Sequence, residues 1–181
     1  MDCIKIYNMF YGNNDMNLTF RKATKEDLPQ VLMLYKTVVR NMIESGINQW
    51  SDEYPNIEVL CADIDAGELI VGIIGAEIVS AYVMNCDADP DYYNADWQYP
   101  DARWCVIHRL CVSPLYHRRG LATQVMGYAE KSAVSQGFEA IHLDTFSGNP
   151  KALNLYHKLG FVDVGEAFWA RGRFVIMEKN L

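Results

Sequence analysis

The feature that most constrains the fold is an alternation of strand and helix patterns in the second half of the chain. The strand patterns are short apolar runs, the helix patterns repeat apolar residues every three or four positions, and glycine or proline separates them. Strand, helix, strand and helix are predicted over residues 102–113, 120–136, 140–146 and 149–159. Asn149 followed by Pro150 is a favourable N-cap and first helical residue, which defines where the last helix begins.

The first half of the chain and its end supply the remaining elements. A strand, two helices, a hairpin and a final pair of strands are predicted around residues 17–24, 28–45, 59–64, 68–86, 161–165 and 173–179. The complete order predicts a mixed α/β sheet of about seven strands with helices on both faces. Residues 18–181 are expected to form one domain, preceded by an N-terminal extension over residues 1–17.

Composition excludes several classes of function. The formal net charge is -7 and the pI is about 5.0, which argues against a nucleic-acid partner. The five cysteines and four histidines show no metal-binding spacing and no disulfide framework, so we expect no metal and a reducing, cytoplasmic location. No apolar run is long enough to span a membrane.

The stretch YHRRGLAT, residues 116–123, is typical of an anion site. A helix N-terminus presents free backbone N–H groups, and a glycine such as Gly120 lets a ligand approach the backbone closely. Arg118 and Arg119 would add positive charge at its rim. The alternative is an ordinary helix start with two solvated arginines, and this local pattern leaves both readings open.

Two motifs resemble those of the GNAT acetyltransferase family. RLCVSPLYHRRGLAT resembles the family's pyrophosphate-binding motif, Gln/Arg-x-x-Gly-x-Gly/Ala, with His117 in place of the usual first residue. NPKALNLYHKLGF resembles the second motif, Asn-x-x-Ala-x-x-Leu-Tyr-x-x-x-Gly-Phe. The resemblance extends from Leu18 to the end of the chain and implies the mixed, mostly antiparallel sheet of that family.

The resemblance implies transfer of an acetyl group from acetyl-CoA to a primary amine by direct attack. It assigns the cofactor to the region of Leu110, Cys111, Val112, Arg118, Arg119, Gly120, Leu121, Ala122, Thr123 and Asn149. Tyr156 matches the family's proton donor, and Asp144 is the candidate base. Asp144 could be a base, a base acting through a water molecule, a partner that only orients another group, or a hydrogen-bonded structural carboxylate. His108, on the preceding strand, is a second candidate base, and the sequence leaves these roles open.

The acceptor site is predicted from acidic and aromatic residues. Residues 87–101 hold five aspartates and four aromatic side chains, a composition suited to a cationic amine. Candidate acceptor-binding residues are Gln49, Trp50, Tyr92, Trp97 and His108. Strand alternation predicts that Arg109 faces away from His108 and pairs with an acid.

Alternatives remain for both the acceptor and the class of protein. Residues 87–101 could instead be a solvated loop anchored by its aromatic residues. A small cationic amine is preferred as acceptor over a peptide or ribosomal-protein N-terminus. A non-catalytic acyl-CoA-binding module is the alternative from another class, but it would have no use for Tyr156. The sequence does not decide between a monomer and a homodimer.

Overall fold

The computed structural model describes residues 17–181, so the predicted N-terminal extension lies outside the described residues apart from Asn17. The strands are β1 (Leu18–Lys22), β2 (Leu69–Ile74), β3 (Glu77–Asn85), β4 (Trp104–Val112), β5 (Ala140–Phe146), β6 (Val162–Trp169) and β7 (Gly172–Asn180). The α-helices of this part of the chain are α1 (Leu28–Glu44), α2 (Ile57–Asp65), α3 (Leu121–Ser135) and α4 (Pro150–Lys158). The predicted order of strands and helices is confirmed.

The seven strands form one mixed sheet in the order β1-β2-β3-β4-β5-β7-β6. Strands β4 and β5 are parallel because α3 crosses over between them, and every other neighbouring pair is antiparallel. The predicted fold class, a mostly antiparallel sheet with helices on both faces, is therefore confirmed.

The pairing between β4 and β5 stops early. Three residue pairs join these strands, from Trp104 opposite Ala140 to Val106 opposite His142. Both strands then continue, β4 to Val112 and β5 beyond His142, without further pairing to each other. The sheet consequently opens along the second half of β4.

A bulge in β4 lies at the start of this opening. Ala81 of β3 pairs with Cys111 and Val83 pairs with His108, so two residues of β4 lie opposite Tyr82 alone. The first of these, Arg109, has a φ of 52°, which is rare for a residue with a side chain. The Tyr35 hydroxyl donates a hydrogen bond to the Arg109 carbonyl at 2.8 Å and stabilises this backbone turn.

Different coverings protect the two faces of the sheet. Helices α3 and α4 pack on one face over a core that includes Leu143 and Met177. On the other face, α1 and α2 cover the β1 side, where Val71 and Val83 are buried. Residues 86–103 cover the β6 side of that face, where Tyr92, Val106 and Ile176 share a third cluster.

Candidate active site

A cavity of about 510 Å³ lies at the opening between β4 and β5. Its wall combines the α1–α2 connection, residues 87–92, β4, β5, α4 and the β6–β7 hairpin. The predicted site residues in this wall are Gln49, Trp50, Tyr92, His108, Leu110, Asp144 and Tyr156. Elements distant in sequence therefore bring both candidate catalytic residues into one cavity.

Tyr156 is presented to the cavity by α4. Asn149 caps this helix, since its Oδ1 accepts a hydrogen bond from the Ala152 N–H at 3.2 Å. The Tyr156 ring packs against Phe161, and its hydroxyl makes no hydrogen bond to any residue in 17–181. Burial, and secondarily the nearby Asp144, raise the pKa of Tyr156 well above its usual value. The hydroxyl is therefore protonated at neutral pH and free to donate.

Asp144 extends from β5 into the same cavity. Its Oδ1 accepts a hydrogen bond from the Tyr92 hydroxyl at 3.3 Å. Burial raises the pKa of Asp144 to about 6, with a smaller contribution in the same direction from Asp89. The hydrogen bond from Tyr92 opposes this rise. A carboxylate with a pKa near the working pH has the property required of a general base.

His108 points its Nε2 at two oxygen acceptors, Asn85 Oδ1 at 3.1 Å and the Asp87 carbonyl at 2.9 Å. Since neither acceptor can donate, Nε2 carries the hydrogen of the ring. Burial, with a contribution from the positive charge of Arg109, lowers the pKa of His108 below its usual value. The ring is therefore neutral at pH 7 and holds the backbone of Asp87 at the cavity wall.

Arg109 forms a bidentate ion pair with Asp63 of α2. Its Nε and Nη2 donate at 3.0 and 2.7 Å, and its Nη1 donates to the Tyr54 hydroxyl at 3.1 Å. The predicted pairing with an acid is observed, but the predicted orientation is wrong, because Arg109 and His108 line the same cavity. The bulge in β4 interrupts the alternation on which that prediction relied.

The candidate residues of the α1–α2 connection have separate roles in packing. Trp50 is buried, and its ring lies 5.7 Å from the ring of Tyr35. Gln49 Oε1 accepts a hydrogen bond from Asn149 Nδ2 at 2.9 Å. The side-chain amide of Asn149 thus connects α4 with the α1–α2 connection.

Trp97 does not belong to the cavity wall. Its ring stacks on His142 with centroids 3.7 Å apart, and its Nε1 donates to the Tyr92 carbonyl at 3.1 Å. The acidic and aromatic stretch therefore has two functions that composition could not separate: Tyr92 faces the cavity, whereas Trp97 anchors the stretch to the sheet.

A buried polar network completes this anchor. The Trp104 ring also stacks on the His142 ring, with centroids 5.2 Å apart. His142 Nε2 lies 3.2 Å from Glu178 Oε1, and the Gln98 N–H donates to Glu178 Oε2 at 2.8 Å. Burial lowers the pKa of His142 to about 4, so the neutral ring donates a hydrogen bond to Glu178 rather than forming an ion pair.

The start of α3 has the shape of an anion cradle. Gly120 has a φ of 73° and Arg118 a φ of 61°, which turn the backbone into the helix at Leu121. The N–H groups of Leu121, Ala122 and Thr123 belong to the first turn and lack intrahelical acceptors. A Cβ added at Gly120 would meet no atom within 4 Å, so this surface is open, and both arginines are exposed beside it.

In the described part of the chain, the backbone of Leu110, Cys111 and Val112 is paired on one side only. Cys111 pairs with Ala81 and Val112 with Ser80, both on β3. Within residues 17–181, no strand pairs with the edge of these residues that faces β5. Cys111 itself is buried, which raises the pKa of its thiol to about 12 and rules it out as a nucleophile at neutral pH.

Sequence reasoning missed the contribution of the β6–β7 hairpin. Trp169, Ala170, Arg171 and Phe174 form part of the cavity wall. Arg171 also donates to Asn48 Oδ1 at 2.9 Å, which ties the hairpin to the α1–α2 connection. Two aromatic residues and an arginine in FWARG, the stretch between the last two predicted strands, were the one signal available.

Neither a metal centre nor a membrane-spanning helix occurs within the described residues. Residues 17–181 contain no group of three or more histidine, cysteine, aspartate or glutamate side chains arranged to hold a metal ion. None of the helices within this range has the length and apolar character needed to cross a membrane.

The model of the Acetyltransferase (GNAT) family matches residues 25–161, which include both motifs and most of the cavity wall. The chain belongs to the GNAT acetyltransferase family. The predicted family is therefore confirmed. No curated protein matches the chain significantly in sequence.

Solved structures share this GNAT fold. A GNAT family acetyltransferase from Streptococcus agalactiae has 21% identity and a TM-score of 0.80, covering 91% of this chain and 95% of that one. The PaiA N-acetyltransferase from Thermoplasma acidophilum, in complex with coenzyme A, has 19% identity, a TM-score of 0.70 and coverage of 92% and 100%. The ribosomal-protein-S18-alanine N-acetyltransferase from Escherichia coli has 15% identity, a TM-score of 0.64 and coverage of 90% and 93%.

Membership in the family establishes the general reaction. GNAT enzymes transfer an acetyl group from acetyl-CoA to an amine, so this protein is an acetyl-CoA-dependent acetyltransferase. The alternative of a non-catalytic acyl-CoA-binding module is set aside. The open cradle at α3 and the unpaired edge of β4 fit a ligand with phosphates and an extended arm.

Proposed function

We propose that this GNAT acetyltransferase acetylates the primary amine of a small cationic acceptor by direct attack. The observation that carries the proposal is that Asp144 and Tyr156 line one cavity where β4 and β5 separate. Asp144 can accept a proton and Tyr156 can donate one, as amide formation from an ammonium ion and a thioester requires.

The donor is assigned to the open side of β4 and the start of α3. The backbone from Arg118 to Thr123 holds the pyrophosphate at the positive end of α3, and the two arginines add charge. The edge of β4 from Leu110 to Val112 pairs with the extended arm. Asn149 can approach this arm because it begins α4 beside the cavity.

Acetyl-CoA supplies a thioester whose carbonyl carbon the acceptor nitrogen attacks, giving an amide and free coenzyme A. Asp144 takes a proton from the acceptor ammonium, which frees the nitrogen lone pair. A lysine-like ammonium has a pKa of about 10.4 in water, so proton removal needs a nearby carboxylate. A pKa of about 6 keeps most Asp144 side chains ionised at pH 7.

Tyr156 supplies the second proton. Its hydroxyl donates to the sulfur as the carbon–sulfur bond breaks, so coenzyme A leaves as a thiol. The hydroxyl carries its proton at neutral pH because burial raises the pKa of Tyr156. The second proton that the nitrogen loses as the amide forms returns to the Tyr156 oxygen. The overall products are therefore the acetylated amine, the thiol, neutral Tyr156 and one proton carried by Asp144.

The charge of the cavity wall favours a cationic acceptor. The wall carries the carboxylates Asp87, Asp89 and Asp144, and its cations are Arg109 and Arg171. Asp63 compensates Arg109 through their bidentate pair, so negative charge prevails. The aromatic faces of Trp50, Tyr92 and Trp169 add sites for cation–π attraction.

A peptide or protein N-terminal amine is the second candidate acceptor. It is favoured by the fold shared with the Escherichia coli enzyme whose name specifies the alanine of ribosomal protein S18. The contact between Arg171 and Asn48 favours the small acceptor instead, because it draws two walls of the cavity together.

A panel of diamines, amino acids and short peptides, incubated with acetyl-CoA, tests the proposal by release of free thiol. We expect turnover with small cationic amines, and its loss in both Asp144→Asn and Tyr156→Phe. Turnover of peptides alone would replace the first candidate with the second. Full activity in either variant would remove the corresponding catalytic role.

A further inference from the structure

Tyr92 connects the segment that covers the sheet to the candidate base. It lies in a short 3-10 turn, Pro90–Asn94, and is 2% exposed. Two contacts fix its backbone: the Tyr92 N–H donates to the Asp89 carbonyl at 2.9 Å, and its carbonyl accepts from Trp97 Nε1 at 3.1 Å. A tyrosine held in this way can direct its hydroxyl at a defined atom.

We propose that Tyr92 is a positioning residue for acetyl transfer, which holds Asp144 by Oδ1 and leaves the other carboxylate oxygen to face the acceptor amine. The hydroxyl lies 3.3 Å from Oδ1. The inference rests on the proposed function, because it takes Asp144 to be the base. It extends the active site to residues 90–94, beyond both sequence motifs.

The protonation of Tyr92 fixes the direction of this hydrogen bond. Burial, reinforced by the adjacent Asp144, raises the pKa of Tyr92 well above its usual value, so the hydroxyl always donates. A donated hydrogen bond stabilises the ionised carboxylate and lowers its pKa. Tyr92 therefore orients Asp144 and keeps it ionised in surroundings that favour the neutral acid.

The other groups that face Asp144 cannot replace this contact. Asp89, from the same segment as Tyr92, disfavours the ionised form, whereas Arg109 of β4 favours it. Arg109 is already committed to Asp63 and Tyr54. Tyr156 of α4 lies near Asp144 without a hydrogen bond to it. Within residues 17–181, Tyr92 provides the side-chain hydrogen bond that Asp144 receives.

The pH dependence of kcat/KM for the acceptor, at saturating acetyl-CoA, tests the proposal. The wild-type enzyme should lose activity below a midpoint of about 6, the pKa of Asp144. Tyr92→Phe should move this midpoint upward by about one pH unit, because a hydrogen bond to a charged group is lost. The matched control is Tyr93→Phe, since Tyr93 is the adjacent tyrosine and is 83% exposed. Its midpoint should equal that of the wild type.

An unchanged midpoint in a folded Tyr92→Phe protein, or an equal shift in the control, overturns the positioning role. Asp144→Asn distinguishes a wrong role for Tyr92 from a wrong role for Asp144 as the base. If Asp144→Asn abolishes the fall of kcat/KM at acidic pH while Tyr92→Phe leaves its midpoint unchanged, the role of Tyr92 alone is wrong. If Asp144→Asn keeps full activity and the same fall of kcat/KM at acidic pH, the roles of both Asp144 and Tyr92 are wrong.

A measurement on the wild-type protein covers the case in which Tyr92→Phe does not fold. With tyrosine labelled at the Cζ carbon, the Tyr92 resonance should titrate with the same midpoint as the acidic limb of kcat/KM. A resonance that stays constant through that pH range contradicts the proposal.

Discussion

The side-chain amide of Asn149 donates a hydrogen bond to Gln49 across 100 residues of sequence, at 2.9 Å. Asn149 is predicted to contact acetyl-CoA, and Gln49 is predicted to contact the acceptor amine. The same Asn149 side chain caps α4, which carries Tyr156. One amide therefore connects the α1–α2 connection with the start of α4, the helix that carries the candidate proton donor.

Gln49→Ala should weaken binding on both sides of the cavity. Loss of this hydrogen bond should cost about 1 kcal/mol of binding free energy, which corresponds to roughly a fivefold increase in the acetyl-CoA Kd and in the acceptor KM. Gln49→Glu retains an oxygen that accepts from Asn149 and should stay close to wild type. If the alanine variant changes neither constant, the contact has no part in binding.

Asp144→Asn should lower activity and raise stability. Folding raises the pKa of Asp144 from about 3.8 to about 6. The stability that this side chain contributes is therefore fully present below pH 3.8 and is lost as the pH rises through 6. Removing the charge should therefore stabilise the protein at pH 8 by about 3 kcal/mol, with a smaller gain at pH 4. Urea unfolding at both pH values measures the difference, and an equal effect at both would contradict it.

Tyr156→Phe should slow the chemical step without weakening the donor complex. Its hydroxyl has no hydrogen bond within residues 17–181, so the substitution leaves no partner unpaired. We expect kcat to fall by about 100-fold, the lower range for general acid catalysis. The acetyl-CoA Kd, measured by calorimetry, should stay within twofold. An equal loss in affinity and kcat would indicate a binding role instead.

Gly120→Ala should weaken acetyl-CoA binding, and Gly75→Ala is a matched control. Both glycines have positive φ values, 73° and 63°, and an added Cβ meets nothing within 4 Å at either one. Each substitution should therefore cost about 1 kcal/mol of stability through backbone strain alone. Gly120 begins α3, whereas Gly75 lies in the β2–β3 turn. Equal donor affinity in the two variants would place the pyrophosphate elsewhere.

The order of the elements could be predicted because local residues mark their ends. Gly46, Gly137 and Gly160 each adopt a positive φ just after a helix, as such positions favour glycine. Asn149 caps α4 through the predicted side-chain contact. These signals depend on a few neighbouring residues, so they are readable in one sequence.

The geometry of the site could not be predicted in the same way. The bulge at Arg109 places a non-glycine residue in a left-handed conformation, which its identity does not indicate. The early end of pairing at Val106 depends on how β4 and β5 meet across α3. Likewise, Tyr92 and Trp97 look equivalent in sequence, and only the position of His142 separates a cavity residue from an anchor.

The short pairing of β4 with β5 divides the sheet into two hydrogen-bonded ladders, β1-β2-β3-β4 and β5-β7-β6, joined by three residue pairs. A donor bound along the free edge of β4 would span this weak junction. A ligand that binds only the folded state adds about 2.7 kcal/mol at a hundredfold excess over its Kd. The resistance of this enzyme to proteolysis should therefore follow the local supply of acetyl-CoA.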